Sequence, residues 1–83
     1  MTAKEQFNSG LHFIFNRYVS SIDGQPFNRE VVISAVNIFT KLGFTKLTNR
    51  GNMVIMELVK YNSSYIIEIG RLGDESSFTY SVR

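Results

Sequence analysis

Residues 2–22 repeat apolar side chains with the period of an α-helix. One stripe contains Phe7, Leu11, Ile14, Phe15, Tyr18 and Ile22. Thr2 and Glu5 have the spacing of a capping box, in which each side chain satisfies a free group of the first helical turn. The pattern predicts a helix near 3–20. Because Leu11, Phe13 and Phe15 also alternate, a strand over 11–20 stays open as an alternative.

A second apolar stripe of helical period follows a short connection that contains Gly24 and Pro26. The stripe contains Val31, Val32, Ala35, Ile38, Phe39 and Leu42. Asn28 is a favourable N-cap residue, and Gly43 stands where helices commonly end. The sequence therefore predicts a helix near 29–42 that forms an antiparallel hairpin with the first one.

After Gly43 the apolar period changes to two, which indicates strands. Turn residues divide this part into strands near 44–49, 52–61, 64–72 and 76–83, with turns at Arg50-Gly51, Asn62-Ser63 and Gly73-Asp74. The turns predict a register in which Leu47 lies opposite Val54, Met56 opposite Ile69, and Ile67 opposite Tyr80. They place one apolar set on one sheet face: Leu47, Val54, Met56, Leu58, Tyr65, Ile67, Ile69, Phe78, Tyr80 and Val82.

The predicted fold is a single α+β domain over residues 1–83, in the order ααββββ. A two-helix hairpin packs on one face of a four-stranded antiparallel meander, and Phe15, Phe39 and Ile67 are expected among the most buried side chains.

The opposite sheet face is unusually apolar for a surface in water. Its predicted members include Phe44, Met53, Ile55, Val59, Ile66 and Leu72, with Val59 opposite Ile66 and Glu57 opposite Glu68. Phe13 lies off the buried stripe of the first helix, beside Arg17. We expect a partner-binding surface made of Met53, Ile55, Glu57, Val59, Ile66, Glu68, Leu72 and Phe13.

Residues that carry chemistry are scarce in this sequence. It has no Cys and a single His, His12, and its six Gly residues form no phosphate-binding motif. We therefore expect no catalytic residues, no metal site, no cofactor and no small-molecule substrate. Residues 1–6 lack the pattern of a signal peptide, and no apolar run approaches the length of a membrane span. A cytoplasmic protein that does not bind membranes is expected.

Charge gives the remaining information about partners. The nine basic and seven acidic residues divide almost equally between the two halves of the chain, whereas nucleic-acid-binding domains usually concentrate positive charge. The sequence favours a non-enzymatic protein that binds another protein, or a second copy of itself, as an accessory, adaptor or inhibitor of a larger assembly. The alternative is a nucleic-acid-binding module that uses the basic hairpin side around Lys46, Arg50 and Lys60.

Overall fold

A computed structural model describes residues 2–20, 22, 24–50 and 53–83. The elements are α1 (Ala3–Val19), α2 (Arg29–Lys41), β1 (Thr45–Arg50), β2 (Met53–Lys60), β3 (Ser63–Leu72) and β4 (Glu75–Val82). The strands form one antiparallel sheet in the order β1-β2-β3-β4. The predicted α+β fold with the order ααββββ is confirmed, and helix is the correct choice for residues 11–19.

Both helices begin at the predicted caps. The Thr2 hydroxyl accepts a hydrogen bond from the Glu5 backbone N–H and donates one to the Glu5 carboxylate, each at 3.1 Å. The Asn28 side-chain oxygen accepts from the Glu30 N–H at 2.9 Å. At the far end of α2, Gly43 has φ +105°, a conformation that glycine adopts without steric cost. These contacts are local in the chain, and they set where each helix begins and where α2 ends.

The register between β3 and β4 is also as predicted, with Leu72 opposite Glu75 and Ile67 opposite Tyr80. Gly73 supplies the positive φ, +62°, that a tight hairpin turn needs. The turn predicted at Arg50-Gly51 includes residues outside the described ranges.

The predicted turn between β2 and β3 is wrong by one position. The turn residues are Tyr61 and Asn62, with φ values of 53° and 61°, and Lys60 pairs with Ser63. Met56 consequently lies opposite Ile67 and not Ile69. The earlier turn brings the Tyr61 ring into edge contact with Phe7 of α1, at 5.7 Å between centroids. Because the pairing moves by two residues, the same side chains still face the helices.

Strand β1 departs furthest from the prediction, because a bulge lies between Lys46 and Thr48. Asn49 and not Leu47 lies opposite Val54. Leu47 is 56% exposed, whereas Phe44, expected on the open side, is 2% exposed. The Phe44 N–H bonds to the Phe39 carbonyl at 3.0 Å, and its ring lies 5.7 Å from that of Phe39. The bulge absorbs the extra residue and turns Leu47 outward.

The core lies between the helices and the sheet. Its buried residues are Leu11, Phe15, Ala35, Phe39, Phe44, Val54, Met56, Tyr65, Ile67, Ile69 and Phe78. The predicted burial of Phe15, Phe39 and Ile67 is confirmed. Helix α2 packs over β2 and β3. Rings of α1 reach β3 and β4, since Phe7 lies 5.2 Å from Tyr65 and Phe15 lies 5.3 Å from Tyr80.

The connection between the helices covers part of the outer edge of β4. The Ser76 N–H donates to the Gln25 carbonyl and the Phe27 N–H donates to the Asp74 carbonyl, both at 2.8 Å. Pro26 forms an isolated antiparallel β-bridge with Glu75. Both the helices and their connection thus lie toward β2, β3 and β4, so β1 lies at the less covered side of the sheet.

Candidate interaction surface

The sheet face that points away from the helices is uncovered by any described element. We call it the open face; its side chains include Thr45, Thr48, Met53, Ile55, Glu57, Val59, Ser64, Ile66, Glu68, Leu72, Glu75, Ser77 and Thr79. Met53, Ile55 and Ile66 are half-buried by their neighbours, and Val59 and Leu72 are exposed. The structure therefore brings seven of the eight predicted partner-binding residues onto one surface.

The arrangement within this face differs from the prediction. Glu57 lies opposite Ile66, and Glu68 lies opposite Ile55, so the expected direct pairing of Glu57 with Glu68 is wrong. The expected pairing of Val59 with Ile66 is also wrong, because Val59 faces Ser64. Both errors follow from the turn at Tyr61 and Asn62. Each isoleucine at the centre of the face thus has a glutamate as its cross-strand neighbour.

A shallow groove of about 260 Å³ crosses one end of the open face. Its walls include Met53, Glu68, Leu72 and Thr79, and Gly70 lies between them without a side chain. The Thr79 hydroxyl is 3.5 Å from a Glu68 carboxylate oxygen, a long hydrogen bond. The Glu68 carboxylate is exposed and stays available to a cation from outside.

The charged side chains of the strands are sorted by face. Lys46, Lys60 and Arg71 lie on the helical side. Lys46 lies opposite the buried Met56 in the strand register. The Lys60 ammonium lies 4.8 Å from the centroid of the Phe7 ring. The Arg71 guanidinium lies 5.4 Å from the centroid of the Phe27 ring.

The strand carboxylates occupy the other side. Glu57, Glu68 and Glu75 belong to the open face, the last of them opposite Leu72. Among the side chains of β1–β4 that the structure describes, every acidic one therefore lies on the open face and every basic one on the helical side. Arg83, directly after β4, exchanges backbone hydrogen bonds with Ser64 and so adds one cation at the end of the open face. The even charge distribution along the chain conceals this sorting. The parity of the strand positions would have shown it for the glutamates, Lys60 and Arg71, but not for Lys46, which the bulge in β1 moves to the helical side.

Phe13 does not join the open face. It is 63% exposed on the outer surface of α1, where it borders a groove with Ile14, Arg17, Tyr18 and Ile38. The helices lie between this position and the sheet, so Phe13 and the open face cannot contact one small partner surface together.

The basic residues of the alternative hypothesis are not gathered into one cluster. Arg50 pairs with Met53 and Lys60 pairs with Ser63, so their backbones lie at opposite ends of β2. The separation is about 23 Å at about 3.3 Å per residue. Lys46 faces a groove beside α2, and the side chain of Arg50 lies outside the described part of the chain.

Across residues 2–20, 22, 24–50 and 53–83, no three His, Cys, Asp or Glu side chains are grouped closely enough to hold a metal ion. Neither described helix combines the length and the apolar character needed to cross a bilayer. Comparison of the chain with protein-family models, with curated proteins and with solved structures found no match.

Proposed function

We propose that this domain binds another protein through its open face and works without a catalytic step, as an accessory, adaptor or inhibitor of a larger assembly. The observation that carries the proposal is the uncovered sheet face on which Ile55 and Ile66 alternate with Glu68 and Glu57. The isoleucines offer apolar area for burial, and the glutamates select a partner with positive charge.

The partner that fits this face carries Lys or Arg beside apolar side chains. Face-to-face pairing of two copies would bring Glu57, Glu68 and Glu75 against a face that carries the same three glutamates. Like charges so placed are destabilising. Lys46, Lys60 and Arg71 lie on the helical side, and Arg83, opposite Ser64 at the end of the open face, does not balance three glutamates. The charge distribution therefore favours a different protein over a second copy.

The size of the face indicates a transient contact. Four strands spaced about 4.8 Å apart and about eight residues long present on the order of 500 Å². Stable complexes usually bury about 800 Å² on each partner. The open face alone is smaller than that, so we expect reversible binding that weakens as salt screens the glutamates.

A double substitution tests the proposal without disrupting the sheet. Ile55→Lys/Ile66→Lys removes the apolar centre, and each new ammonium lies opposite an existing glutamate, which stabilises the strands. Partners captured from extracts of the source cells by the wild-type domain are identified and quantified by mass spectrometry. We expect a basic partner to be retained by wild type and lost by the double variant.

The matched control adds the same charge elsewhere. Gln6→Lys/Thr40→Lys changes exposed positions on α1 and α2 and should retain the partner. Equal capture by both variants would contradict the proposal. A dimer in sedimentation that dissociates in the open-face variant would replace it with self-association. Retention of labelled DNA or RNA by wild type at physiological salt would favour the nucleic-acid alternative.

A further inference from the structure

A second surface lies on the other side of the sheet, between α2 and β1. It is an open groove of about 570 Å³, which we call the α2–β1 groove. Its lining residues are Arg29, Val32, Ile33, Val36 and Asn37 of α2, with Lys46 and Val54 of the sheet.

The groove exists because of where α2 lies and how β1 is bent. Helix α2 packs over β2 and β3, toward the middle of the sheet. The bulge turns Leu47 away and leaves Lys46 facing the helical side, opposite the buried Met56. The helical side of β1 therefore presents a cation where the sequence predicted a leucine. As a consequence Ile33, at the rim of the groove, is 57% exposed.

The α2 wall of the groove has the spacing of a helix-packing surface. Its five residues follow one another at the offsets 0, 3, 4, 7 and 8, so they form one stripe along the helix. The stripe is apolar at its centre, with Val32, Ile33 and Val36, and it lies beside the one that contains the buried Ala35 and Phe39. It extends over about 12 Å at about 1.5 Å per residue, slightly more than two helical turns.

The charges at the groove have a single sign. Arg29 and Lys46 are its only ionisable lining residues among those described, and neither makes an ion pair within the described ranges. An occupant with carboxylates beside its apolar side chains would match both features. A second copy that docked the same surface here would bring further cations and no carboxylate, because the lining contains none, and this disfavours self-association.

We propose that the α2–β1 groove binds an acidic amphipathic helix of a partner protein. A helix packed about 8–10 Å from α2 lies over the outer edge of β1. Apolar side chains of that helix cover Val32, Ile33 and Val36, and its Asp or Glu side chains pair with Arg29 and Lys46. This surface is on the opposite side of the sheet from the open face, and the proposal does not depend on the function proposed above.

The test uses two synthetic peptides and the full chain labelled for NMR. Each peptide has about 15 residues, long enough for measurable helicity in isolation, with Leu in one helical stripe and Ala between. The flanking positions are Glu in one peptide and Lys in the other. We expect the Glu peptide to shift the amide signals of Val32, Ile33, Val36 and Lys46, and the Lys peptide to leave them unchanged.

Three variants assign the binding to the groove. Ile33→Glu changes an exposed rim residue and should raise the Kd of the Glu peptide by at least about tenfold. Arg29→Glu/Lys46→Glu should reverse the preference toward the Lys peptide. Phe13→Glu introduces the same residue at a similarly exposed apolar position on α1 and should leave binding unchanged. The folded state of each variant is checked by its urea midpoint.

Several results would overturn the proposal. One is equal binding of the two peptides, and another is the absence of saturable binding of the Glu peptide. A third is a set of NMR signal changes confined to the open face, and a fourth is a Phe13→Glu variant that weakens binding of the Glu peptide as much as Ile33→Glu does. Concentration-dependent shifts at the groove without any peptide would assign it instead to a second copy of the chain.

Discussion

Replacing Phe44 with alanine should remove a ring that holds α2 to the sheet. Phe44 is 2% exposed, and its ring meets that of Phe39 edge-on at 5.7 Å between centroids. Loss of a buried Phe side chain costs about 3–5 kcal/mol, of which a ring pair of this geometry accounts for about 0.5–1.5 kcal/mol. A domain of this length has a total stability of about 4–12 kcal/mol. The variant is therefore expected to lose a large share of its stability.

Leu47→Ala is the matched comparison from the same strand. Leu47 is 56% exposed, so less than half of its side chain is removed from water. Full burial of a Leu side chain is worth about 1.5–3 kcal/mol, which gives a cost of about 1 kcal/mol or less here. Phe44→Ala should therefore be more destabilising than Leu47→Ala by about 2–4 kcal/mol.

Urea denaturation followed by circular dichroism and by tyrosine fluorescence measures both values, since the chain has four Tyr and no Trp. With a slope of about 1 kcal/mol per M, the midpoint should fall by about 3–5 M for Phe44→Ala and by about 1 M or less for Leu47→Ala. Should Phe44→Ala be unfolded in water, Phe44→Leu gives a smaller and measurable loss. If Leu47→Ala costs as much as Phe44→Ala, Leu47 is in the core and the bulge in β1 is wrong.

Two further predictions concern the tyrosines. The hydroxyl of the buried Tyr65 donates a hydrogen bond to the Asn8 side-chain oxygen, so Asn8→Ala should lower the free energy of unfolding by about 1–3 kcal/mol. In a double-mutant cycle, adding Tyr65→Phe should recover part of this loss. Additive losses would show that the bond contributes nothing. Burial, and secondarily the charge of Tyr65, raises the pKa of Tyr80 above its ordinary value of 10.0, and burial also raises the pKa of Tyr18. The folded state thus holds these protons more tightly, and its stability should be complete below pH 10 and fall as the pH rises past that value. Denaturation midpoints with tyrosinate absorbance measure this, and a Tyr80→Phe variant with an unchanged alkaline loss would count against it.

The features that sequence reasoning predicts correctly here are those set by neighbours in the chain. Thr2 and Asn28 bond to backbone groups only two or three residues away, and Gly73 allows a turn that few other residues adopt. Each signal is complete within a few positions, so the ends of both helices and the register of β3 with β4 follow from it.

The register of β2 with β3 is harder because burial does not determine it. Moving the pairing by two residues keeps every side chain on its own face, so both registers satisfy the hydrophobic pattern equally well. The choice depends on the turn, where Tyr61 adopts a positive φ that Tyr rarely takes and contacts Phe7 of α1. A contact with a distant helix cannot be read from the turn sequence. The predicted pairing of Glu57 with Glu68 failed for this reason.

The bulge in β1 has a similar cause and a larger effect on the candidate sites. The space under α2 holds Phe44 and not Leu47. Phe44 follows directly on the end of that helix, and its backbone N–H bonds to the Phe39 carbonyl. The alternation of apolar and polar residues does not show which of the two side chains is buried. The bulge turns Lys46 toward the α2–β1 groove, which the sequence did not predict.

The two proposed surfaces follow from one property of an antiparallel sheet. Consecutive strand residues face opposite sides of the sheet. Lys46, Lys60 and Arg71 therefore lie on one side and the three strand glutamates on the other, which gives a nearly neutral chain a basic side and an acidic side. We propose a basic partner for the open face and an acidic helix for the groove. Because the sheet separates the two sites, occupation of one leaves the other accessible. Of the accessory, adaptor and inhibitor roles, an adaptor that joins two partners of opposite charge makes use of both surfaces.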